Sequence, residues 1–259
     1  MIGLNGIFTE IFQKLKSKFL QFKNMKILGF KNYGSIPHLS NSKLGIGDHY
    51  IERGQELILT NKARDKHDTI LVFEKYDGSN VGICKVDGKI HVITRSGYEA
   101  NTSPYKQHHL YADWVKSKEC LFMDLLDDNE RIAGEWLLQS HGLKYEIIGD
   151  PIVFFDYFNP KNERLIFKDL EEKALKYGLP LPRKLHEGLP ITVDELLPTL
   201  NKKTDSIKSD ELPEGMVYRV ERNGKVDFLA KWVRCDFRNG QYCIEVDESN
   251  LTWNKIQAR

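Results

Sequence analysis

VFEKYDGSNVGICKV, residues 72–86, places two apolar runs on either side of the turn Asp77-Gly78. β-Branched and aromatic residues dominate both runs, so the stretch reads as strand, turn, strand. A second turn, Asp87-Gly88, is a hairpin signal that leads into KIHVITR, residues 89–95. With two residues in that loop, Val86 opposes Lys89 and Asn80 falls opposite Arg95. Lys75 stands at the end of the first strand, beside a turn that carries a carboxylate. A strand holds a lysine rigidly, and a glycine turn lets backbone N–H groups approach a ligand. Lysine is a nucleophile only when neutral, a state favoured by desolvation or neighbouring cations. On its own, Lys-x-Asp-Gly reads equally well as an ordinary turn with a solvated lysine.

Outward from this stretch the strands continue. RIAGEWLL (131–138) and PIVFFDYF (151–158) read as buried strands, and the region after Asn101, with His108, His109 and Trp114, as helix. Asp169 is placed to cap a helix over LEEKALKY, with Gly178 as its stop, and Thr192 to Glu195 form a capping box. The polar run 201–211 reads as loop. A last hairpin, GMVYRVER (215–222) and KVDFLAKWV (225–233), turns at Asn223-Gly224, and regular pairing sets Lys231 opposite Met216. Glu214 and Lys231 then emerge at the same end of that hairpin. Mostly antiparallel strands with a few helices indicate an α+β fold.

Composition narrows the function classes. The chain has 259 residues, with 38 Lys+Arg against 37 Asp+Glu and a net charge of +1, which excludes a wholesale polycation but not a local basic groove. Cys84, Cys120, Cys235 and Cys243 show no metal-like spacing and read as reduced core thiols of a cytoplasmic protein. His67, His108 and His109 lack a matching acidic or cysteine spacing and read as surface or satisfied core histidines. Residues 1–24 read as a basic amphipathic helical extension, with Ile7, Phe8, Ile11, Phe12, Leu15, Phe19 and Phe22 at helical spacing beside Lys14, Lys16, Lys18 and Lys23. Packing on its own domain is the default for such a helix, and no stable membrane association is expected, since no apolar run approaches a membrane span. Residues 25–259 form the second segment.

The company of Lys75 decides the function. Tyr33-Gly34-Ser35-Ile36-Pro37 precedes it. Thr94-Arg95-Ser96-Gly97, Gly134-Glu135-Trp136, Phe154-Phe155-Asp156-Tyr157, Glu214-Gly215-Met216-Val217 and Leu229-Ala230-Lys231-Trp232 follow it in order. This set resembles the motifs of the covalent nucleotidyltransferases, and within them the ATP-dependent RNA ligases of the phage RNA ligase 2 type, over residues 33–234. The resemblance implies an adenylation domain of largely antiparallel sheets with flanking helices. It implies that Lys75 takes AMP from ATP, passes it to an RNA 5′-phosphate, and that a 3′-hydroxyl then closes the bond. It assigns Glu74, Asn80, Arg95, Glu135 and Phe155 to the nucleotide, Lys231 to catalysis at the α-phosphate, and Asp156 and Glu214 to a metal, Mg2+ or Mn2+. Taken singly, Phe155 and Trp136 read as core aromatics, Glu214 as a turn cap and Lys231 as a snorkelling side chain.

Two departures stand out. The first lysine of a usual Lys-x-Lys pair is Leu229 here, leaving Lys225 or Arg234 to supply the second cation. Only 28 residues follow Lys231, too few for a C-terminal OB domain, so none is expected. The basic N-terminal helix is then a candidate for gripping RNA. A DNA ligase, a capping-type nucleotidyltransferase and a non-catalytic RNA-end-binding module on the same fold are the alternatives.

Overall fold

The computed structural model describes residues 25–202, 204, 206–243 and 251–258. The helical extension expected over residues 1–24 lies outside them. Among the described residues no helix is long and apolar enough to cross a membrane.

The fold is a mixed α/β arrangement built on two four-stranded antiparallel sheets. The first runs in the order β10 (Lys225–Val233), β9 (Gly215–Arg222), β1 (Asp68–Lys75), β7 (Lys184–Gly188). The second runs β3 (Lys89–Thr94), β2 (Ser79–Val86), β4 (Arg131–Trp136), β6 (Ile152–Phe158). A small third sheet joins β5 (Glu146–Ile148) to β8 (Ile207–Lys208) and β11 (Lys255–Gln257). β8 lies inside the stretch read as loop, a two-residue strand too short to leave a periodic signal.

Alternation along the strands sorts residues between the faces. Ile70 and Val72 of β1, Met216, Tyr218 and Val220 of β9, and Ala230 and Trp232 of β10 pack against Leu59 of α1 (Arg53–Thr60) and Val193, Leu196 and Leu200 of α5 (Val193–Leu200). On the second sheet, Val81, Ile83, Ile132, Trp136 and Phe154 pack against α2 (Lys106–Ser117), α3 (Glu119–Leu125) and α4 (Phe167–Tyr177). Each fully buried aliphatic or aromatic side chain stabilises by roughly 1.5–3 kcal/mol. The remaining faces of the two sheets look at one another, and the site lies between them.

β1 and β2 do not form a hairpin. The turn Tyr76-Asp77-Gly78 carries the chain from the first sheet to the second. An added Cβ at Gly78 would overlap the Trp136 carbonyl oxygen, so the crossing is passable only to glycine. The β2–β3 register matches the sequence reading from Val86↔Lys89 to Val81↔Thr94. Pairing ends there, one residue short of Asn80 and Arg95, and on its other edge Asn80 lies opposite Glu135 of β4. The last hairpin starts in the expected register at Arg222↔Lys225, but a bulge between Val226 and Phe228 shifts it by one, and Lys231 faces Val217 in place of Met216. α4 starts at Phe167, two residues before the expected cap, with Ile166 at its N-cap and Gly178 in the left-handed conformation at its end. The capping box of α5 forms as read, Thr192 accepting from the Glu195 N–H. All four cysteines are free; Cys84 alone is buried, while Cys120 and Cys235 are exposed.

Candidate active site

The bulge in β10 decides which way Lys231 points. Residues opposed across an antiparallel pair share a face. Met216 packs into the core on the helix side, so regular pairing would have put Lys231 there. Extra residues in a bulge reverse the alternation beyond it. Lys231 therefore shares a face with Val217, and through it with Phe73 and Lys75 of β1. Asp227, the inserted residue, accepts from Arg64 at 2.6 Å.

A second bulge, in β6, does the same for the opposite wall. Ala133 pairs with Asp156 and Gly134 with Phe154, leaving Phe155 as the extra residue. Phe155 lines a pocket of about 170 Å³ between the sheets, together with Tyr33, Glu74, Lys75, Asn80, Glu135, Leu229 and Lys231. Tyr33 stands edge-on to Phe155 at 5.1 Å. The pocket shares Lys75, Asn80, Arg95, Glu135 and Lys231 with a wider cleft of about 1190 Å³. The side-chain oxygen of Asn80 is buried with no hydrogen-bond partner in the protein, an acceptor open to a ligand.

Lys75 sits among carboxylates. Its Nζ donates to Glu214 Oε2 at 2.6 Å. Burial alone would lower its pKa, but Glu214, Glu135 and Asp77 together hold the ammonium above the usual lysine range. Burial pushes Glu135 up to about 8 and Glu214 up to about 7, Lys75 opposing both shifts. Glu135 accepts from the Gly78 N–H at 3.2 Å. Asp77 is fixed by the Gly142 N–H, and its own N–H donates to the Tyr145 hydroxyl at 3.0 Å. Gly215, opposite Lys75 in β9, holds the chain against the Trp232 carbonyl, where a Cβ would collide.

The opposite cation is tethered differently. Lys231 Nζ reaches Asp48 Oδ1 at 3.4 Å, and Asp48 Oδ2 lies 2.9 Å from His38 Nε2. Burial and the nearby Lys231 lower the His38 pKa. The neutral ring then donates from Nε2 and accepts the Ser42 hydroxyl at Nδ1, 2.6 Å away. Burial lowers the Lys231 pKa as well, with Lys75 adding to it and Asp48 opposing. His38 and Asp48 carry no motif spacing, and only the folded strand edge at residues 37–39, bonded to Lys231 through Pro37 and Leu39, reveals them.

Residues 68–233 match the model of the family described as RNA ligase. The chain belongs to the RNA ligase family. No curated protein matches it. Solved structures similar to it include a mutant RNA ligase from Naegleria gruberi with ATP and Mn, at 18% identity and a TM-score of 0.48, covering 77% of this chain and 59% of that one. An archaeal ATP-dependent RNA ligase, form 1, matches at 16% identity and a TM-score of 0.46, covering 78% of this chain and 48% of that one. A second archaeal form matches at 18% identity and a TM-score of 0.44, covering 64% of this chain and 42% of that one. The chain thus spans about half the length of the solved ligases it matches.

Set against the family motifs, the fold gathers Lys75, Asn80, Arg95, Glu135, Glu214 and Lys231 around one cleft. Glu74 reaches the smaller pocket and pairs with Arg183 at 3.0 Å. Asp156, read for a metal, is packed among other partners. It is 1% exposed and bonded to Arg219, to Arg164 at 3.0 Å and to the Tyr33 hydroxyl. Its oxygens are occupied by cations and a donor, which leaves little capacity for a metal. Lys225 opens β10 at the hairpin turn, six residues and roughly 20 Å of strand from Lys231. Arg234 pairs with Asp236 at 3.2 Å. Lys43, which the sequence did not single out, also lines the cleft, its Nζ donating to the Phe237 carbonyl.

Among the described residues no group of three or more His, Cys, Asp or Glu side chains is arranged to hold a metal by itself. The charge around Lys75 nevertheless fits a divalent cation. Three carboxylates face one ammonium there, and oxygen donors of this kind suit Mg2+ or Mn2+ with most of its waters retained.

Proposed function

We propose that the protein is an ATP-dependent RNA ligase that works through a covalent lysyl-AMP. The observation that carries this reading is Lys75, fixed at the crossing between two sheets, paired with Glu214 at 2.6 Å, and on one sheet face with Lys231. Lys75 Nζ, once neutral, attacks the α-phosphorus of ATP. An N–P bond forms, the P–O bond to pyrophosphate breaks, and the lysine proton leaves to solvent or a neighbouring carboxylate. Glu135 and Glu214, both with pKa values near neutrality, are suited to take it. Lys231 and Arg95 offset the charge that develops on the phosphate. Phe155 stacks on the adenine, a contact of about 1–3 kcal/mol. Asn80 and Glu74 complete the nucleotide pocket.

Glu214, with waters and the phosphates of ATP, would hold Mg2+ or Mn2+, and the ion would screen the triphosphate charge against the surrounding carboxylates. Asp156 acts through Arg219 and Tyr33, shaping the pocket. AMP then passes to the 5′-phosphate of an RNA end, and the 3′-hydroxyl of a second end displaces it. The free thiols suit a reducing, cytoplasmic setting.

A pulse and chase tests the reading. Protein labelled with α-labelled ATP should hand its label to 5′-phosphorylated RNA and then release AMP as sealed product forms. Transfer only to DNA ends, or labelling by GTP in preference to ATP, would replace it with a DNA-sealing or capping-type activity.

A further inference from the structure

We infer that the cleft wall formed by residues 95–108 is a stacking site for the terminal bases of the 5′-phosphorylated RNA strand, with Tyr98 and Tyr105 as its platforms. This rests on the reading of the cleft as a ligation site. Size makes the first argument. Ligand sites for a small molecule run to about 300–1,000 Å³, and this cleft reaches about 1190 Å³ beside the adjoining aromatic pocket proposed for the adenine. The two tyrosines line only the large cleft, whereas Phe155 and Tyr33 line only the small one. They therefore serve a ligand other than the adenine.

The chemistry of the wall makes the second argument. Tyr98 is 37% and Tyr105 61% exposed, two large rings turned toward a polar cleft. Between and beside them stand Arg95, Ser96, Thr102 and Ser103, a guanidinium and hydroxyls suited to phosphate and ribose. The acid of the wall, Glu99, is engaged by His91 at 2.6 Å. Both ring-bearing segments are held in place by their backbones. Tyr98 accepts from the Thr94 N–H at 2.9 Å, and Tyr105 is bonded on both sides, to the Ser103 hydroxyl at 3.2 Å and from the His108 N–H at 3.0 Å. His108 stands edge-on to Tyr105 at 5.8 Å, and burial among His141 and His109 lowers it to about 4, so it adds no charge at neutral pH. Segments held this way lose little backbone freedom on binding, and stacking accepts any base because each has a π-face. The wall thus grips an RNA end without reading its sequence.

The test is binding of a 5′-phosphorylated oligoribonucleotide by fluorescence anisotropy, alongside an oligonucleotide whose two 5′-terminal nucleotides are abasic. Tyr98→Ala and Tyr105→Ala should each weaken binding of the intact RNA about tenfold, while Tyr98→Phe and Tyr105→Phe keep it. On the abasic RNA the unmodified protein and all four variants should bind alike. Alanine variants that bind intact RNA as tightly as the unmodified protein, or that lose the same factor on abasic RNA, would overturn the stacking site. Labelling of the unmodified protein by ATP separates this from the ligase reading. Ring-dependent binding without lysyl-AMP would support the RNA site and sink the ligation chemistry.

Discussion

At the scale of single residues the site turns on the protonation of Lys75. The carboxylates that steady it also keep it charged, and a charged amine cannot attack phosphorus. Lysyl-AMP formation should therefore rise with pH through the neutral range, as the neutral fraction grows. Glu214→Gln removes one of the charges that raise the Lys75 pKa. The rising limb of the single-turnover labelling profile should then move to lower pH by about one unit, whatever happens to its amplitude. A limb that stays in place or moves upward would contradict the role given to Glu214. Lys75, Asn80, Arg95, Glu135, Glu214 and Lys231 were legible in the sequence because each sits in a short ordered motif. His38, Asp48 and Lys43 were not. They meet the cleft through the strand edge at residues 37–39 and the loop behind it, and their chain separation from Lys231 leaves no local pattern.

At the scale of elements, two bulges and one crossing aim the site. The strands and their hairpins could be read from period and turn chemistry, and the β2–β3 register holds as far as those strands pair. The bulges could not. A single inserted residue in β10 or β6 leaves no mark in the composition, yet it turns Lys231 to the cleft and Phe155 to the smaller pocket. The pair between the sheets was also hidden. Arg219 of β9, 1% exposed, reaches across to Asp156 of β6, in a network where Arg164 also pairs with Asp156 and Glu221 with Arg219. Removing one partner of a buried pair costs about 3–5 kcal/mol, whereas apolar replacement of both is often tolerated. Asp156→Asn should lower unfolding free energy by about 3 kcal/mol in denaturant titration, because it leaves Arg219 and Arg164 short of a buried carboxylate. A variant that keeps full stability and loses only metal-dependent activity would restore Asp156 to the metal.

At the scale of the molecule, the charge balance and the site are two sides of one fact. A net charge of +1 would be unusual for a protein that coats nucleic acid. Here Lys43, Arg95 and Lys231 line the cleft beside Lys75, with Asp77, Glu135 and Glu214 among them. RNA affinity should depend on salt only shallowly. Three phosphate contacts to a single strand give a log–log slope of about −2, measurable by anisotropy between low and physiological salt. A slope several times steeper would mean that RNA is held over a much larger basic surface. The α+β class was readable from the order of strands and helices, while the placing of two sheets face to face, with Lys75 at the crossing, needed the fold. The measurement that bears most directly on the account is incubation with α-labelled ATP and Mg2+, followed by peptide mapping. One AMP per chain should fall on the peptide containing Lys75, with no label on the Lys75→Ala protein; label that persists in that variant, or none on the unmodified chain, would contradict the lysyl-AMP mechanism.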